Sequence, residues 1–133
     1  MTAAIDVHKL TKRYDTVTAL SEISFQVQPG EIMGFLGPNG AGKTTMLRII
    51  TGNIAPTDGT VRIDGLDVRE RSLEVRRRIG YLPEHVALYP ELRVQEYLGY
   101  RASIKGVPAK ERRNRLTAVL EQCALTDARR QVL

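Results

Sequence analysis

The sequence predicts an α/β fold organised around a glycine-rich loop between a strand and a helix. Residues 37–44 read Gly-Pro-Asn-Gly-Ala-Gly-Lys-Thr, which meets the G-x-x-x-x-G-K-[ST] pattern, between an apolar run and a helical segment. Other segments alternate apolar and polar residues, as half-buried antiparallel strands do, and residues 94–123 have helical periodicity. Strands of two kinds together with helices favour a mixed sheet in one modest domain.

The first strands are predicted from alternation with period 2. Residues 5–10 predict a half-buried strand, and residues 11–15 a polar turn. Residues 23–27 alternate cleanly. Pro29-Gly30 then turns the chain into the apolar run 32–36, which we predict to be a fully buried strand.

The later elements follow from caps, turn residues and helical spacing. They are a helix over residues 45–51 that Gly52 caps, a strand over residues 60–64 and a short helix over residues 72–78. A buried strand over residues 79–82, which Pro83 stops, and two further helices over residues 94–104 and 108–123 follow. In open α/β sheets the carboxyl ends of strands face the ligand crevice. Glu84, directly after the second buried strand, is therefore placed to reach a ligand held by the loop.

The loop has the residue types that a polyphosphate site requires. Glycines at positions 37, 40 and 42 let successive backbone N–H groups point inward at an anion, and the following helix adds its positive N-terminal end. Lys43 is placed to neutralise the β- and γ-phosphates, and the Thr44 hydroxyl to ligate a bridging Mg²⁺ ion. The pattern predicts a nucleoside triphosphate as the ligand.

Composition and charge limit the classes of protein to which this chain can belong. The sequence has no run long enough to span a bilayer and no signal-peptide pattern, so we expect a cytosolic location. The single cysteine, Cys123, excludes an internal disulfide and is predicted to pack on the last helix. Residues 1–68 carry a net charge of −1 and residues 69–133 one of +6. Because no aromatic residues interleave the basic clusters at 76–78 and 110–115, a solvated helix face is favoured over a nucleic-acid surface.

Taken together, these residues resemble the nucleotide-binding domain of ABC transporters. The segments that carry the resemblance are residues 37–45 (Walker A), Tyr14, residues 29–31, 57–59, 64–65 and 79–84. Residues 88–90 and 94–98 are most similar to export-type members. The resemblance implies a P-loop ATPase fold with an antiparallel β subdomain and nucleotide core over residues 1–92, the start of a helical subdomain over residues 93–133, and an incomplete core sheet.

The resemblance also implies roles for individual residues. Tyr14 would stack on adenine and Val17 would line the ribose side, next to a phosphate site formed by Gly37, Pro38, Asn39, Gly40, Ala41, Gly42, Lys43, Thr44 and Thr45. Lys43 and Glu84 would act in catalysis, with Thr44 and Glu84 at the metal. Residues 84–92 would form the loop that senses the γ-phosphate and faces the membrane partner. That loop usually opens with Gln, so Glu84 is a departure that predicts stronger metal ligation.

In the complete protein, the resemblance implies a dimer that hydrolyses ATP and drives export through an integral membrane permease, at the inner face of the cell membrane. The signature sequence, the Walker B carboxylates and the switch histidine are not found among residues 1–133. This fragment is therefore expected to bind nucleotide but barely hydrolyse it. The alternative is a non-transport P-loop ATPase or regulatory module with a basic nucleic-acid-binding face. A GTPase is disfavoured, because no Asn-Lys-x-Asp motif is present.

Overall fold

The structure, a computed structural model, describes residues 2–133. The chain divides into two compact units, residues 1–82 and 83–133. The first contains a sheet with two helices and the second contains two helices, so the predicted α/β class is confirmed. The subdomain boundary placed after residue 92 stays a prediction.

The sheet of the first unit has four antiparallel strands in the order β2-β1-β3-β4. They are β1 (Ile5–Tyr14), β2 (Val17–Val27), β3 (Asp58–Ile63) and β4 (Leu66–Asp67). The strands predicted at residues 5–10, 23–27 and 60–64 are confirmed, but the turn predicted at residues 11–15 is wrong. β1 continues to Tyr14, because its polar end pairs with β2, and the chain reverses at Asp15, whose φ is 45°.

The helices of the first unit are α1 (Lys43–Ile50) and α2 (Ser72–Arg78), as the sequence predicts. α1 ends in the predicted left-handed glycine, since Gly52 has φ 68° and its N–H donates to Ile49 O at 2.9 Å. Apolar side chains from both helices and the sheet form one core, whose fully buried members are Leu10, Ile49, Val7, Val61 and Val75.

The second unit contains α3 (Val94–Ile104) and α4 (Ala109–Gln122), which confirms both predicted helices. Glu96 accepts a hydrogen bond from the Arg93 N–H at 2.8 Å and so caps the start of α3. The packing predicted for Cys123 is wrong, because its side chain is exposed. Cys123 lies one residue beyond α4, just before the chain turns through positive φ at Ala124, and so it is not carried on the helix face.

Two predicted buried strands do not form. Residues 32–36 and 79–82 have no regular structure, and Ile32, Leu36 and Leu82 are 98%, 97% and 82% exposed. A parallel central strand needs a neighbour that supplies its ladder hydrogen bonds. Within residues 2–133 no strand pairs with either segment, so neither segment joins the sheet. The incomplete core sheet that the sequence predicts is confirmed.

The loop and the sheet meet at Gly42, the residue before α1. A Cβ atom on Gly42 would lie 2.5 Å from Ala19 O and 2.7 Å from Leu20 Cδ2, both on β2. Gly42 also has φ 86°, which other residues rarely adopt. Gly40 has nearly the same φ, 85°, but nothing lies within 4 Å of its Cβ position. Gly42 is therefore fixed by close approach as well as by conformation.

Gly42→Ala is expected to destabilise the first unit more than Gly40→Ala. Both changes incur the cost of positive φ, about 1–2 kcal/mol, whereas only Gly42→Ala adds a clash with β2, worth about 1–3 kcal/mol. Denaturant unfolding of the two variants and the parent chain measures the difference. Equal losses would show that α1 can shift away from β2 at no cost.

Candidate nucleotide-binding site

The predicted phosphate loop is an exposed connection that leads into α1. Residues 37–41 are exposed, while Gly42 and Lys43 are partly covered. One internal hydrogen bond, from Ala41 N–H to Pro38 O at 3.2 Å, tightens the bend. The positive φ values of Gly40 and Gly42 turn the backbone so that the chain enters α1 directly.

The N-terminal end of α1 presents backbone donors. The first amide of this region to bond along the helix is that of Met46, which donates to Gly42 O at 2.8 Å. The N–H groups of Lys43, Thr44 and Thr45 precede it and have no acceptor within the helix. Together with the helix dipole, these amides favour an anion at this end.

Lys43 folds back over the loop. Its Nζ donates to Gly37 O at 2.6 Å and to Pro38 O at 2.7 Å. An ammonium group has three donors, so one remains for a ligand. The side chain thus holds a positive charge beside the loop, where the sequence places the β- and γ-phosphates, while it satisfies two carbonyl groups of the loop itself.

The predicted base-side residues lie together at the end of the β1–β2 hairpin. Tyr14 and Val17 are directly opposite in the strand register. Both side chains are accessible, with exposed fractions of 44% for Tyr14 and 62% for Val17. An aromatic ring beside an aliphatic side chain offers a flat apolar surface on which a purine could stack.

The hairpin end is next to the loop because Gly42 packs on β2. The contact is at Ala19 and Leu20, and Val17 lies only two residues from Ala19, about 7 Å along the strand. The contact of Gly42 with β2 therefore places the start of α1 two residues along the strand from Val17, which pairs with Tyr14. That these residues form one nucleotide site stays a prediction.

Glu84 belongs to the second unit, and its side chain is exposed. The expectation that it follows a buried strand is wrong, because residues 79–82 form no strand. Thr44 is exposed at the start of α1. Among residues 2–133, no cluster of three or more His, Cys, Asp or Glu side chains could hold a metal ion.

An aromatic group follows Glu84 in the second unit. The ring of Tyr89 lies 5.7 Å from that of Tyr100, edge to face, and 6.3 Å from that of Tyr97. A hydrogen-bonding interaction with Tyr100 raises the pKa of Tyr89, which favours the neutral phenol. Tyr89 and Tyr100 are each 44% exposed, and so are accessible to another molecule.

Sequence reasoning missed Lys12. Its Nζ lies 4.9 Å from the centroid of the Tyr14 ring and donates to Ala55 O at 2.9 Å. The turn predicted at residues 11–15 hid this contact, because only in a strand do residues 12 and 14 fall on the same face. A strand prediction carried through to Tyr14 could have found it.

Known proteins resemble this chain in sequence and in fold. Residues 20–133 match the ABC transporter family. The Nod factor export ATP-binding protein I of Burkholderia thailandensis is 41% identical over 119 residues, which are 90% of this chain and 39% of that protein. The chain thus spans well under half the length of this curated relative.

Two solved structures share the fold. An ATP-binding subunit of an ABC transporter superposes with a TM-score of 0.80 at 30% identity, over 98% of this chain and 54% of that one. A dimeric ATP-binding cassette in a post-hydrolysis state with ADP and Pi also gives 0.80, at 28% identity, over 96% of this chain and 61% of that one.

The matches do not favour the alternative of a non-transport, nucleic-acid-associated ATPase. None of the helices described here is both long and apolar enough to cross a membrane. The family match covers residues 20–133, most of the chain. The chain therefore belongs to the ABC transporter family, as part of its ATP-binding domain.

Proposed function

We propose that this chain binds Mg-ATP through residues 37–45 and that the complete protein hydrolyses ATP to drive export through a membrane permease. The observation that carries the proposal is the arrangement of Lys43, whose ammonium is held beside the glycine bend at the amino end of α1. Charge-assisted hydrogen bonds from an ammonium and from backbone amides are the contacts that polyphosphate binding requires.

Each part of the site has a distinct task. Lys43 and the free amides of α1 bind and neutralise phosphate oxygens, and the Thr44 hydroxyl is available to a Mg²⁺ ion that bridges them. Bound Mg²⁺ supplies charge neutralisation at the reacting phosphoryl group. Tyr14 and Val17 hold the base and ribose. Because Gly42 is packed on β2, the phosphate and base parts of the site keep a fixed spacing.

The export role is proposed from relatives. The Burkholderia relative is named for Nod factor export, and one solved neighbour is a dimeric cassette. We propose that the complete protein likewise dimerises and works at the inner face of the membrane. Tyr89 and Tyr100, accessible in the segment after Glu84, offer an apolar surface to a permease.

For residues 1–133 alone, we propose binding with very slow hydrolysis. Glu84 is the acidic residue proposed to take part in the reaction. Its proposed role is to bind the metal ion and not to activate the attacking water. Phosphoryl transfer to water also needs a group that orients the nucleophile. The signature and Walker B segments, which supply such groups in the family, do not occur in these residues.

Lys43→Ala is expected to weaken binding of a fluorescent ATP analogue at least tenfold, because charged hydrogen bonds are worth about 1.5–3 kcal/mol. Fluorescence titration with and without Mg²⁺ measures the loss. Lys9→Ala is the matched control, since it removes the same charge from an exposed position on β1. If both variants bind as the parent chain does, Lys43 is not a phosphate ligand.

Glu84→Gln in the complete protein is expected to raise the Mg²⁺ concentration needed for half-maximal turnover several-fold, because an amide oxygen is a weaker ligand for Mg²⁺ than a carboxylate. Magnesium titrations of the two forms test this. Glu91→Gln, at an exposed position in the same unit, controls for loss of one negative charge. If the magnesium titrations of the parent protein and of Glu84→Gln superimpose, Glu84 is not a ligand of the metal.

A further inference from the structure

Lys12 lies against the ring to which base stacking is assigned. Its Nζ is 4.9 Å from the centroid of Tyr14, within the roughly 6 Å at which a cation–π interaction is significant. The same Nζ donates to Ala55 O at 2.9 Å. The ammonium is thus anchored at a second point and does not sample solvent freely.

Lys12 is also connected to the phosphate loop by a residue of β2. In the strand register Lys12 lies opposite Leu20, and Leu20 is one of the two residues that pack against Gly42. The side chain of Lys12 is partly covered, whereas that of Tyr14 is 44% exposed. In the part of the chain that the structure describes, Lys12 forms no ion pair with a carboxylate. Its charge is therefore available to the Tyr14 ring.

We propose that Lys12 is a positioning residue for the nucleotide base: anchored on Ala55 O, it closes one face of Tyr14 and orients the ring so that the base stacks on the other face. This inference rests on the proposed nucleotide-binding function. It assigns to Lys12 a role through Tyr14, without direct contact with the phosphates.

The physical basis is a sandwich of cation, phenol ring and base. A cation on one face of an aromatic ring draws π-electron density toward itself, which reduces repulsion between the other face and a stacked heterocycle. The anchor on Ala55 O also limits the orientations of the ring before binding, so less freedom is lost when the base stacks. Both effects depend on Tyr14 and on the presence of a base.

The deciding variant is Lys12→Gln, because it removes the charge and keeps a side-chain N–H donor. We expect affinity for a fluorescent ATP analogue to fall about two- to fivefold, the size of an exposed cation–π contact. Affinity for inorganic tripolyphosphate, which has no base, is expected to stay unchanged. Lys12→Arg keeps a cation over the ring and should retain the affinity of the parent chain for the analogue.

A double-mutant cycle separates positioning from general electrostatics. In a Tyr14→Ala background, Lys12→Gln is expected to cause no further loss of affinity. Lys9→Gln, the same change at an exposed position on β1, is expected to have no effect in either background. Thermal unfolding of each variant confirms that the chain is folded at the titration temperature.

Three results would overturn the inference. Lys12→Gln could bind the analogue as tightly as the parent chain, it could weaken tripolyphosphate binding in parallel, or its effect could persist undiminished without Tyr14. Binding of the analogue by the parent chain keeps these outcomes separate from the proposed function. A parent chain that binds neither ligand would contradict both.

Discussion

The close approach of Gly42 to β2 is the contact on which the rest of the site depends. It leaves no room for a Cβ atom between the start of α1 and the backbone of Ala19. Such a contact fixes the direction in which the free amides of α1 point, because the helix cannot slide along the strand without opening the core at Met46, Ile49 and Ile50. A loop of small, exposed residues is thereby held rigidly at the end that leads into α1.

The position of Lys43 follows from the same constraint. In a loop with few internal hydrogen bonds, the carbonyl groups of Gly37 and Pro38 need donors, and the ammonium supplies two. A phosphate oxygen would compete for those donors and would offer a full negative charge where the carbonyl groups offer only dipoles. The residue assigned to the phosphates therefore also ties the two ends of the loop together.

The elements that the sequence predicted correctly are those whose hydrogen-bonding partners lie within residues 2–133. β1, β2 and β3 carry alternating patterns, and α1, α2, α3 and α4 carry helical spacing with caps or turn residues at their ends. Residues 32–36 and 79–82 satisfied the pattern for buried strands, but a strand exists only with a hydrogen-bonded neighbour. The loop residues were recognisable because their pattern is contiguous. Lys12 was not, because its contact with Tyr14 depends on how far β1 extends.

Because residues 32–36 do not form a strand, burial of their apolar side chains does not stabilise the fold. Burial of a large aliphatic side chain contributes about 1.5–3 kcal/mol, yet Ile32 and Leu36 are almost fully exposed directly before the phosphate loop. On the other side of the loop, α1 is tied to the core. The loop therefore has one fixed end, and its other end follows residues 32–36, which pair with no strand within residues 2–133. Pairing of residues 32–36 with a neighbouring strand would fix the Gly37 and Pro38 carbonyls, and with them the Lys43 ammonium, more firmly than α1 alone can.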